Sequence, residues 1–153
     1  MNQIAELLPA ANIALDLEIA NKAGLFEKAG ELFAASGGFA PSTVSASLAA
    51  REKLGSTGLG QGIAIPHGRL KGLAEARGAF LRLKAPIPFD APDGRPVSQV
   101  FVLLVPEHAT DQHLLLLSEL AQMFSEREFR EKLGAVTTVS ELAALFAGWE
   151  RGE

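Results

Sequence analysis

The chain has 153 residues, 48% hydrophobic and 21% charged, a balance that excludes disordered and collagen-like architectures and suits one globular domain spanning residues 1–153. Zero cysteines remove disulfides, thiolate catalysis and every cysteine-based zinc pattern, in keeping with a reducing compartment. Eighteen acids against fourteen bases give a net charge of −4 with the bases scattered, which argues against nucleic-acid binding. The start, Met1-Asn2-Gln3-Ile4-Ala5-Glu6, has no basic segment leading into an apolar one, and the longest strongly apolar run, Val100 to Val105, is too short to span a bilayer. A cytoplasmic location without membrane insertion is expected.

Residues Asn12 to Leu17 alternate apolar and polar as a strand does, and Ile19, Ala23, Phe26, Ala29 and Phe33 then recur at helical spacing until Gly37-Gly38. A second helix is expected from Pro41-Ser42 to Leu54-Gly55, with Val44, Leu48 and Arg51 on one face. Ile63 to Ile65, Ala79 to Leu83 and Val100 to Val105 read as strands, the last apolar on both faces as a central strand is. Beyond Pro106 the pattern is helical. Thr110 is placed to cap a helix through Phe124, Ser125-x-x-Glu128 and Thr138-x-x-Glu141 read as capping boxes, Gly134 as a stop, and Trp149 as a packing anchor for the last helix. The resulting order, β-α-α-β-β-β-α-α-α, predicts an α/β fold whose sheet is covered on both faces.

The densest unusual stretch runs from Gly55 to Gly68, with four glycines, Gly55, Gly58, Gly60 and Gly62, in eight residues. Such a loop can aim backbone N–H groups at an anion, or it can be a structural turn. No Lys-Ser/Thr follows its last glycine, so it is no Walker A loop, and it precedes a strand, whereas the dinucleotide fingerprint follows one. His67, between Pro66 and Gly68, is expected at the carboxyl end of a short strand, where open α/β sheets place their sites. His113 falls in the first turn of the helix after Val100 to Val105, so two parallel strands would bring both histidines to one rim. Arg51, in the last turn of its helix, either forks onto a phosphate or complements the helix dipole. His108 reads as surface. Arg51, the loop amides, His67 and His113 together suit a phosphoryl group better than a metal.

Zinc is disfavoured because His108 and His113 are five apart and no HExxH is present. A serine hydrolase is disfavoured because Ser56 lies in a helix-to-strand loop, not on a strand-to-helix turn.

The stretch Arg51 to Gly68 resembles the signature of the enzyme IIA domains of the bacterial phosphoenolpyruvate-dependent phosphotransferase system, in the fructose/mannitol/nitrogen-regulatory group. The resemblance continues through Pro86 to Val97, Leu103-Leu104-Val105-Pro106, His113-Leu114, Leu117-Ser118 and Leu120-Ala121, and covers nearly the whole chain. It implies a three-layer α/β/α sandwich with a mixed central sheet. It also implies that His67 is phosphorylated by the phosphohistidine of a small HPr-like carrier protein, with His113 and Arg51 as the other catalytic positions. Ser56, Thr57, Gly58, Gly60 and Gly62 would form the phosphate-binding loop. Two departures stand out: Leu115 occupies the place of a second histidine found in some members, which suggests that residue is dispensable, and Ser98-Gln99 is more polar than the usual approach to the central strand.

A free-standing domain with His67-Gly68-Arg69-Leu70 looks most like the nitrogen-regulatory branch, whose members act on partners such as potassium-transport systems and sensor kinases. The alternative is a fructose- or mannitol-type IIA passing phosphate to a IIB cysteine. No cofactor, nucleotide or metal is expected, because the donor is already an activated phosphoramidate. A binding module without chemistry is argued against by the joint presence of Arg51, His67 and His113.

Overall fold

The computed structural model describes residues 2–37, 39–108 and 111–149, with the side chain of Gln112 excepted. Strands β1 (Ile13–Leu17), β2 (Gly58–Gly60), β3 (Ile63–Ala64), β4 (His67–Leu70), β5 (Arg77–Ile87) and β6 (Val97–Pro106) form one sheet. Helices α1 (Gln3–Glu6), α2 (Lys22–Gly37), α3 (Pro41–Glu52), α4 (Asp111–Ser125), α5 (Arg127–Ala135) and α6 (Val139–Gly148) cover it. The sheet is mixed: β1 runs parallel to β5, β5 antiparallel to β6, and β3 and β4 both parallel to β6, while β2 closes an antiparallel hairpin with β3.

Side-chain alternation along β6 builds two cores. Phe101, Leu103 and Val105 meet α1 and α4–α6 through Ile4, Leu116, Leu120, Phe129 and Phe146. Val100, Val102 and Leu104 meet α2 and α3 through Leu25, Phe33, Val44 and Leu48. The strand is therefore apolar on both sides because each side faces a helical layer, which is the α/β/α sandwich expected. Ser98 and Gln99 do not delay its start, since β6 opens at Val97 and Gln99 pairs with Arg82 of β5 while donating through Nε2 to the Arg130 carbonyl.

Several expectations change. The observed order adds α1 and a 3-10 turn (Ala10–Asn12) ahead of β1, and the glycine-rich stretch contributes strand β2 where only a loop was expected. The Ser125-x-x-Glu128 capping box does not form: Ser125 is the last residue of α4, its hydroxyl donates to the Gln122 carbonyl, and Glu126 is the N-cap of α5. Thr138 and Glu141 do form one. Trp149 is buried and donates through Nε1 to Glu126, tying the end of α6 to the start of α5. Gly38 and Thr110 lie outside the described residues.

His67 is not at the carboxyl end of a short strand but opens β4, a strand the expected order lacked. Strands β3 and β4 pair with β6 at one constant offset of 36 residues (63 with 99, 64 with 100, 67 with 103, 68 with 104), so they are one strand interrupted at Ile65-Pro66. Pro66 has no N–H to give a ladder, but its carbonyl accepts from the Leu103 N–H at 2.9 Å, which carries the register across the gap.

Helices α2 and α3 approach closely where Gly30 packs against the backbone of Pro41, the first residue of α3. A Cβ there would strike the Pro41 carbonyl, and backbone cannot yield as a side chain can. Gly30→Ala is therefore expected to destabilise the fold by about 1–3 kcal/mol, despite the better helix propensity of alanine, read as a lower urea midpoint at unchanged m-value.

Candidate active site

His67 sits where β4 begins, with β6 its one strand partner among the described residues. Its register opposite Leu103 puts the ring on the α4 side of the sheet, while Arg51 comes from α3 on the other side, so the two meet at the edge that β4 leaves open. The half-buried imidazole has both nitrogens engaged. Nδ1 lies 2.9 Å from the Ile65 carbonyl and Nε2 lies 3.2 Å from Arg51 Nε. A carbonyl can only accept and a guanidinium N–H can only donate, so Nδ1 carries the proton and Nε2 keeps its lone pair.

The guanidinium is held in turn by Nη1, which donates to the Gly55 carbonyl at 2.8 Å. His113, the third residue of α4, brings its ring to 5.3 Å from that of His67, centroid to centroid, at 57°. Its Nε2 is buried and has no hydrogen-bond partner among the described residues. Shallow grooves of about 330 and 340 Å³ flank His67, one lined by Thr57, Leu59, Leu117 and Ala121, the other by Ser47, Leu54, Arg69 and His113. Arg51 borders both.

Burial lowers the pKa of His67, and the Arg51 cation lowers it further against the opposing pull of the Ile65 carbonyl and the Glu52 carboxylate. Burial likewise lowers that of His113, with His67, Arg69 and Arg51 acting in the same direction. Both shifts favour the uncharged form of the rings, the form in which an imidazole nitrogen keeps a lone pair.

The glycine-rich stretch behaves differently from the cradle expected of it. The Thr57 N–H donates to both oxygens of Glu52 at 3.2 Å, and the Gly58 N–H donates to Ser56 Oγ at 3.1 Å. Ser56 Oγ donates to the Phe89 carbonyl at 2.7 Å. Gly60, Gln61 and Gly62 have φ of 91°, 59° and 80°, the left-handed path that turns β2 into β3. Asp93 caps that turn, its carboxylate accepting the N–H groups of Gln61 and Arg95, and these bonds hold its pKa below the usual carboxylate range. Gly58, Gly60 and Gly62 thus serve the turn and the close approach of Ala91, and the amides of Thr57 and Gly58 are already taken. Leu115 is 63% exposed, outside both grooves. His108 is exposed beside Glu107, as expected.

Residues 6–148 match the family described as "Phosphoenolpyruvate-dependent sugar phosphotransferase system, EIIA 2". The chain belongs to this type 2 enzyme IIA family. A protein of Pseudomonas aeruginosa named nitrogen regulatory protein is 47% identical over 115 residues, 75% of each chain. The crystal structure of nitrogen regulatory protein IIA-Ntr from Neisseria meningitidis superposes with a TM-score of 0.89 at 51% identity, covering 94% of this chain and 99% of that one. The fold is also shared with mannitol enzyme IIA of Escherichia coli, solved as a complex with phosphorylated enzyme IIB, at a TM-score of 0.76, 24% identity and 94% and 100% coverage. This enzyme IIA domain is a component of phosphotransfer, and no helix among its described residues is long and apolar enough to cross a membrane.

Two residues of this enzyme IIA site escape sequence reasoning, Glu52 and the Ile65 carbonyl. The carbonyl leaves no signal in a sequence. Glu52 leaves one: an acid in the last turn of a helix opposes the helix dipole, and so calls for a partner.

Ring ¹H and ¹⁵N shifts of His67 and His113 are expected to titrate below the ordinary histidine value of about 6.5. Arg51→Met should raise the midpoint of His67 by removing a cation. A histidine whose pKa is lower folded than unfolded contributes stability above the unfolded value, and that contribution is lost as pH falls through the folded one. The unfolding midpoint should therefore fall on acidification, and less steeply in a His67→Gln, His113→Asn variant.

Proposed function

We propose that this domain is a phosphohistidine carrier in which His67 Nε2 accepts a phosphoryl group from the phosphohistidine of an HPr-like protein. The observation that carries the reading is the tautomer: Nδ1–H held on Ile65 leaves Nε2 as an uncharged lone pair beside the Arg51 guanidinium. In the transfer, the donor P–N bond breaks as the Nε2–P bond forms in line. The proton stays on Nδ1, where the Ile65 carbonyl stabilises the positive ring charge that bond formation creates. Arg51 turns from Nε2 to the equatorial oxygens, and Nε2 of His113, which has no partner among the described residues, donates to another in the tautomer that carries its proton there. Because the donor is already activated, the step calls on no nucleotide.

Docking of a protein donor is supported by exposed leucines that line the two grooves beside His67, Leu54 at 85% and Leu59 at 44%. Apolar groups of this kind amid polar ones mark a contact surface for a transient partner. The likeness to proteins named nitrogen regulatory protein supports a regulatory role, with targets such as potassium-transport systems or sensor kinases responding to the phosphorylation state of His67. The second reading, transfer onward to a IIB cysteine, is favoured by the shared fold with an enzyme IIA solved against its phosphorylated IIB.

Incubation with phosphoenolpyruvate, enzyme I and an HPr-like protein should introduce one acid-labile, alkali-stable phosphoryl group per chain. His67→Ala should abolish it. Arg51→Lys, which loses the Nε donor, and His113→Ala should each slow labelling by about 10²-fold while leaving it on His67. Label moving to His113 would refute the assignment. Pull-downs with wild type, His67→Ala and His67→Asp would then separate targets that respond to phosphorylation from those that do not.

A further inference from the structure

Glu52 and Lys22 are both charged groups at the helix end that disfavours them. Glu52 closes α3, where carbonyls crowd, and Lys22 opens α2, where N–H groups do. They are paired with each other, Nζ to Oε2 at 2.8 Å, with the Glu52 side chain 7% exposed. A buried carboxylate persists only where its oxygens are satisfied, and those of Glu52 are. Besides Lys22 they take the Thr57 N–H at 3.2 Å and the Thr57 hydroxyl at 2.7 Å. Lys22 also lies 4.6 Å above the ring of Phe89, whose carbonyl accepts from Ser56.

The consequence falls on Arg51. The four residues between Glu52 and Thr57 form a loop that Glu52 closes on itself, and it carries the Gly55 carbonyl that holds Arg51 Nη1. Gly55 has φ of 154°, near the limit of the left-handed region. With Nη1 fixed on that carbonyl, Nε points at His67 Nε2. We propose that Glu52 is a positioning residue for phosphoryl transfer: its clamp on Thr57, braced by Lys22, sets the Gly55 carbonyl that aims the Arg51 guanidinium at His67. The inference builds on the phosphocarrier reading, yet the geometry it concerns exists in the unphosphorylated protein.

The test uses the full chain and two readouts. One is the rate of His67 labelling by the phosphorylated HPr-like donor. The other is the ¹⁵N shift of His67 Nε2, which reports the Arg51 hydrogen bond with no phosphate present. Glu52→Ala should slow labelling on the order of 10- to 100-fold and move the Nε2 shift toward that of an Arg51→Met variant. Glu52→Gln, whose carboxamide oxygen still accepts from Thr57, should recover most of both. Thr57→Val, which keeps the volume and loses the hydroxyl, should fall between, and it decides the matter if Glu52→Ala does not fold. An Nε2 shift and a rate that stay at wild type while thermal stability falls would overturn the proposal, leaving Glu52 as a fold staple. A Gln variant as impaired as Ala would also overturn it, in favour of a pure charge effect. If wild-type protein takes no label on His67, the phosphocarrier reading fails, and the shifts alone still decide whether Glu52 orients Arg51.

Discussion

The site depends on the two hydrogen bonds that hold one imidazole between a carbonyl and a guanidinium. Ile65 precedes His67 by two residues, and Pro66 between them has its own carbonyl committed to Leu103. The ring is therefore oriented by its own strand, not by a distant group, and only Arg51 has to be delivered from elsewhere. That delivery explains why α3 ends where it does. Stopping at Glu52 lets the next residues fold back as the loop whose Gly55 carbonyl holds the guanidinium.

The sandwich puts this pair at a place where both helical layers can reach. Helix α3 belongs to one face and α4 to the other, and both reach the edge of β4 that has no strand partner among the described residues. Arg51 and His113 come from opposite layers because His67 is at that edge. The Pro86 to Arg95 segment then covers the hairpin: Phe89 and Ala91 are buried beneath it and Asp93 fixes its turn.

Much of this was legible in residue patterns. The doubly apolar run at Val100 to Val105 identified the central strand, proline at the first position of α3 marked its start, and Thr138 with Glu141 marked the start of α6. Hidden features were those decided by tertiary partners. Ser125-x-x-Glu128 satisfies a capping pattern but lies one residue too early, because α4 runs through Ser125. The short strand β4 is held by pairing with β6, 36 residues further along the chain, which no local pattern encodes. The three site residues were readable as chemical types. That the glycines serve a turn, and that the loop amides are spoken for by Glu52 and Ser56, depended on contacts across the fold.

Because β3 and β4 share one register against β6, the main chain at His67 is anchored to a strand buried from Val100 to Val105. In the carrier role we propose, a scaffold so fixed has little freedom to change shape when a dianion arrives on the ring. What changes is the electrostatic potential over a small patch of surface, and that change extends about one Debye length, roughly 8 Å in physiological salt. Discrimination between the two states then comes down to reading a field at short range, and it weakens as ionic strength rises.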